Sequence, residues 1–106
     1  MIYTHKVSME NITGEISVEL LPWESRVKKS KEILFSLVDG KLVERELYEQ
    51  GEMSLNAAIS CVKSVDVSCG DSKVISVDDL MMFREGVQIM RDISSIILNG
   101  PSLGKK

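Results

Sequence analysis

The sequence is poor in the residues that catalysis, cross-linking and metal binding draw on. It has one histidine, His5, and two cysteines, Cys61 and Cys69, in 106 residues. Two cysteines are too few for a disulfide framework, so they read as reduced thiols, with Cys61 buried on a helix. Together with a single histidine they match no zinc pattern. His5 is the only imidazole base, so a nucleophile–base–orienter triad is not credible. Neither a Gly-x-Gly-x-x-Gly run nor a Walker pattern is present to cradle phosphate. The expectation is a protein that is not an enzyme and uses no metal or cofactor.

Other absences narrow the class further. Two prolines and seven glycines exclude collagen-like and low-complexity chains. The longest apolar-rich stretch, 89–98, is interrupted by Arg91, Asp92, Ser94 and Ser95, so it is not a membrane span. The opening residues, MIYTHKVSMENITG, lack the apolar core of a signal peptide, which points to the cytoplasm. Without a secretory route, the Asn11-Ile12-Thr13 sequon is incidental. A net charge of -3 argues against a dedicated nucleic-acid binder. The oxygen-rich segment 66–79 fails the EF-hand template. With Asp66 at its first position, Gly70 comes one place early and Val77 stands where the bidentate Glu belongs.

What remains is ordinary globular material. Hydrophobic residues make up 43% and charged residues 27%, at the length of one domain. The pattern predicts a small single α+β domain over 1–100, with a flexible tail over 101–106. Ile16, Val18 and Leu20 alternate with Ser17, Glu19 and Leu21, which predicts a strand over 15–21. The segment from Tyr3 to Met9 would pair with it across a turn near Asn11 to Gly14. Pro22 stops the strand and opens a helix over 23–39, where Trp23, Val27, Leu34 and Leu37 share one face. Asp39-Gly40 closes it. A second helix is predicted over 42–63, broken or kinked at Gly51, with Leu55, Ala58, Ile59 and Val62 at core spacing. A hairpin follows over 65–75 around Gly70-Asp71. Ser76 caps a third helix over 77–98, aided by Asp78 and Asp79 in its first turn. Asn99-Gly100-Pro101 ends it.

Two surface features stand out. The run Arg26 to Lys31 is basic, lacks interleaved aromatics and is followed by Glu44, Glu46, Glu49 and Glu52. It reads as a solvated helix face or one half of a charge match within or between molecules. The third helix carries two adjacent apolar stripes, Leu80, Phe83, Val87, Met90 and Ile97 beside Met82, Ile89, Ile93 and Ile96. That is wider than one core face, and six methionines add adaptable surface. Core packing explains most of it; the excess suggests a patch for self-association or for binding another protein.

The string Gly14-Glu-Ile-Ser-Val-Glu-Leu-Leu-Pro-Trp23-Glu-Ser-Arg26 resembles the start of the small tail assembly chaperones of long-tailed bacteriophages. Those have a strand, a Pro-Trp-like helix start and a basic amphipathic helix. The second half is similar in layout: a β-prone segment at Val74-Ile75, then Ser76-Val77-Asp78-Asp79-Leu80 opening a final helix that ends at Asn99-Gly100. The resemblance covers about residues 14–100. In that family a ribosomal frameshift near the end of the shorter product yields a longer form. Gly104-Lys105-Lys106 is compatible with a slippery site there, as it is with a plain charged tail. The resemblance implies a cytoplasmic protein of the infected cell that keeps the helical tape-measure protein soluble and helps recruit the tail-tube subunit. Met81, Met82, Ile89, Met90 and Ile93 would form the client-binding face, with Trp23 and Val27 completing a groove. Homo-oligomerisation is compatible with this reading. The alternatives are a structural component of a phage particle, such as a tail or head completion protein, and a small regulator binding nucleic acid or a host protein.

Overall fold

The computed structural model describes residues 1–100; the expected tail over 101–106, including Pro101, lies outside the described residues. Alternation of apolar and polar residues builds the first hairpin. Strand β1 (Ile2–Ser8) pairs antiparallel with β2 (Ile12–Glu19), and a two-residue turn over Glu10-Asn11 is closed by the Met9 N–H donating to the Ile12 carbonyl at 2.8 Å. The expected hairpin is present, with its turn slightly earlier than Asn11 to Gly14. In β2 the side chains of Ile12, Ile16 and Val18 are buried, while Thr13 and Glu15 are exposed. One face of the sheet is therefore apolar and the other wet, as antiparallel sheets allow.

After β2 the chain leaves the sheet through helix α1 (Trp23–Leu34), makes a second hairpin from β3 (Phe35–Val38) and β4 (Lys41–Glu44), and returns through helix α2 (Leu47–Cys61). Helix α2 runs without a loop into β5 (Val62–Cys69), which pairs antiparallel with β2. A short β6 (Ser72–Val74) completes a four-stranded sheet of order β1-β2-β5-β6. Its turn at Gly70-Asp71, with Gly70 at φ +61°, is the predicted one. Two further helices follow, α3 (Val77–Leu80) and α4 (Arg84–Asn99). The architecture is a small single α+β domain, as the pattern predicts.

The core lies between the apolar face of the sheet and helices α2 and α4. Ile16, Val18, Val67, Leu80, Met90, Ile93 and Ile97 are fully buried there. Burying side chains of this size contributes roughly 1.5–3 kcal/mol each. Two glycines allow backbones to meet. At Gly14, with φ +146°, a Cβ would strike the Asp66 carbonyl and Val67 Cα of the neighbouring strand. At Gly86 it would strike the Leu80 carbonyl. Helices α2 and α4 are also tied by a hydrogen bond from Ser94 Oγ to the Ser54 carbonyl at 3.1 Å.

Three helix boundaries differ from expectation. The first helix stops at Leu34 rather than residue 39, because Asp39 (φ 51°) and Gly40 (φ 78°) form a hairpin turn between extended strands. Two successive left-handed residues match the twist of a hairpin. For the same reason the second helix starts at Leu47, since 41–44 is strand. Gly51 does not interrupt that helix; it is exposed, and nothing lies within 4 Å of a Cβ added there. The third helix divides at Met81-Met82-Phe83, where Phe83 turns extended (φ -104°, ψ 144°) and α4 folds back so that Gly86 sits on the end of α3. Ser76 does cap α3, its Oγ accepting from the Asp79 N–H at 3.2 Å.

The two helical glycines give opposite expectations. Gly51→Ala should stabilise the protein by about 0.5–1 kcal/mol, because it removes backbone freedom from the unfolded chain and adds no clash. Gly86→Ala should destabilise it by about 2 kcal/mol or more through overpacking. Urea denaturation of the two variants checks both signs. A Gly86→Ala protein as stable as the parent would refute the close α3–α4 contact.

Candidate functional site

The seven residues expected to form a partner-binding face are divided by the structure. Ile89, Met90 and Ile93 are buried, Met90 and Ile93 completely. They belong to the core against the sheet and α2, and the expectation that they form an exposed face is corrected. The physical reason is the spacing within α4 itself: Gly86, Ile89, Met90, Ile93 and Ile97 fall on one helical face, and that face is the one turned to the core. The four-residue α3 ahead of it adds Leu80 to the same core. The apparent excess of apolar width disappears. Met81 is half-buried and packs on that core. Met82 is 82% exposed in the α3–α4 turn, and Trp23, at the start of α1, is 70% exposed. Val27, one turn further along α1, is half-buried.

Of the seven, the structure brings Trp23 and Val27 into one groove. It lies between α1 and the end of α4, with Trp23, Val27, Leu34 and Leu98 supplying apolar lining and Arg26 and Lys31 a basic rim. Helix α1 buries only Ile33 completely, so most of its apolar residues are left for this groove. The Arg26 guanidinium lies 5.7 Å from the centroid of the Trp23 ring, within range of a cation–π attraction. Its Nε is buried without a hydrogen-bond partner among the described residues.

Lys31 also lines a neighbouring groove with Glu32, Phe35, Leu37 and Leu42, so the two concavities adjoin. That second groove lies between the end of α1 and the β3–β4 hairpin, whose apolar residues are left exposed among the described residues. Leu37 and Leu42, directly opposite each other across the hairpin, are 70% and 72% exposed. Phe35, Val38 and Val43 on the hairpin, and Leu47 and Tyr48 at the start of α2, are exposed as well. None of these residues is among the seven expected at a binding face, and Leu37 is expected on a helix. The available signal was Asp39-Gly40 between Phe-Ser-Leu-Val and Lys-Leu-Val-Glu, a hairpin dipeptide flanked by β-prone runs.

The chemistry of the remainder is sparse. Among the described residues no group of three or more His, Cys, Asp or Glu side chains is placed to hold a metal ion. Cys61 is buried and Cys69 half-buried, and both are free. Cys69 lines a third concavity with Met9, Ile12 and Phe83, rimmed by Glu10 and Glu85, and no histidine is among its lining residues. The Glu19 carboxyl is held below the usual range by a hydrogen bond from the Met1 amino group. No helix among the described residues is long and apolar enough to cross a membrane. Compared with protein-family models, curated proteins and solved structures, the chain finds no match.

The burial difference sets a direct test on the former candidate face. Met90→Ala should cost about 2–5 kcal/mol of stability, and Met82→Ala should stay within about 0.5 kcal/mol of the parent. Chemical denaturation of each variant reads the difference. Similar small losses for both would contradict the placement of Met90 in the core.

Proposed function

We propose that this protein is an assembly chaperone of the kind that serves tail assembly in long-tailed bacteriophages, a binding protein without a cofactor or a catalytic step. The observation that supports the reading is the groove of α1, where a nearly bare helix face presents Trp23 and Val27 beside Leu34 and Leu98. A groove of this make suits an amphipathic helix laid in by its apolar side. The tape-measure protein, a long helical chain prone to aggregation, is the client that the resemblance of residues 14–100 implies. The basic rim of Arg26 and Lys31 would pair with acidic positions flanking the client's apolar stripe. Binding in the host cytoplasm would keep those stripes from meeting one another until the tail-tube subunit assembles around the client. The client face is thus α1 with the end of α4, in place of the buried α4 stripe.

Trp23 is the only tryptophan in the chain, so its emission reports on the groove alone. Co-expression with the longest helical protein encoded by neighbouring genes should keep that protein soluble as a complex. Peptides spanning its predicted helices should shift the Trp23 emission to shorter wavelength. Trp23→Ala should weaken association by about 10–100-fold, the range for a central aromatic anchor. If the neighbour's solubility is unchanged and nothing co-purifies, the chaperone reading fails.

A further inference from the structure

We propose that the β3–β4 hairpin is the contact between two copies of this chain, packed face to face about a two-fold axis. The inference does not rest on the chaperone reading, although its surface adjoins the client groove and shares Lys31 with it.

The hairpin is a structural anomaly for a monomer. Isolated two-stranded hairpins are marginal in water, because they lack anything to bury an apolar face against. This one pairs only with itself and stands apart from the four-stranded sheet. Seven of its eight strand residues are exposed, and only Ser36 is half-buried. Its cross-strand pairs place Phe35, Leu37 and Leu42 on one face with Glu44, and Ser36, Val38, Lys41 and Val43 on the other. The first face is the one that opens into the groove rimmed by Lys31 and Glu32.

The exposed leucine pair and the charges around it identify the occupant. Eight large apolar side chains from Leu34 to Tyr48 are exposed. They do not share one face: Phe35, Leu37 and Leu42 open into the groove, Val38 and Val43 lie on the opposite face, and Leu34 lines the groove of α1. The contact face presents roughly 300 Å² of apolar side chain, the size of a functional patch on a monomer. The charges bordering the apolar face carry both signs. Lys31 and Glu44 take part in no ion pair among the described residues. A client of one sign would satisfy one of them and repel the other. A second copy turned about a two-fold satisfies both, setting Lys31 of each chain toward Glu44 of its partner and the Leu37–Leu42 pair of each against the same pair. That is the self-complementarity an isologous contact requires.

Light scattering coupled to size-exclusion chromatography reads the result on the full chain. At high loading concentration the mass should approach twice the 11.8 kDa of one chain, and fall on dilution. Leu37→Glu with Leu42→Glu should raise the dissociation constant more than about 100-fold and leave far-UV circular dichroism of the main domain intact. Charge reversal separates self-association from an unrelated partner surface. Lys31→Glu alone and Glu44→Lys alone should each weaken the dimer, and the two together should restore it. A parent protein of single-chain mass, a multimer unaffected by the leucine variants, or a double reversal no better than the single ones would overturn the proposal. The leucine variants change no residue of the Trp23 groove, so client binding is read on them separately by fluorescence; Lys31 borders both grooves, and its reversal is read by mass alone.

Discussion

The pairing of β2 with β5 organises everything else in this molecule. These strands are separated in sequence by both helices α1 and α2 and the hairpin between them, yet they lie side by side with Ile16 opposite Val65. Gly14 lets β2 approach the backbone of Asp66 and Val67 with no side chain between. Once that pair forms, the sheet has an apolar face wide enough for α4, and the intervening chain is forced out as an excursion. The core and the protruding surface are two consequences of one strand contact.

The elongation follows from the same contact. The Cα radius of gyration is 15.2 Å, against about 13 Å for a compact domain of 100 residues. The extents are 52 × 30 × 23 Å. Burial is concentrated on the sheet and on α4, where Met90, Ile93 and Ile97 have no exposed surface. The excursion contributes Ile33, Ala58 and Cys61 to the buried set, and its far residues are left to solvent. A chain of this size has enough apolar material for one core, and it has placed a substantial share of that material elsewhere.

Much of the fold was legible where a single periodicity ruled a segment. The alternation in β2, the Gly70-Asp71 turn and the Ser76 cap all stand where their local chemistry puts them. The failures came where one signal served two structures. Leu34, Leu37 and Val38 fit a helical face as well as a strand, and Asp39-Gly40 can end a helix or turn a hairpin. The left-handed pair Asp39-Gly40 turns the chain into a hairpin. In the last third, the apolar pattern fitted one long helix or a single turn followed by a longer helix, and the extended backbone at Phe83 with the contact of Gly86 and Leu80 distinguishes them. The candidate surface suffered from the same ambiguity. Counting two separate stripes set Ile89 and Ile93 outside the core, whereas in α4 they share one buried face with Met90 and Ile97. Trp23, at the start of α1, lies outside the reach of that ambiguity and is exposed.

The seamless passage from Cys61 into Val62 has a mechanical meaning. A loop at that junction would act as a hinge and let the hairpin end swing freely of the sheet. Here the last turn of α2 continues directly into a strand paired with β2 from Val62 to Cys69 and with β6 at its far end. The projection is therefore a cantilever clamped at its root, and a load applied at Leu37 or Leu42 is carried into the sheet as strain on the β5 ladder.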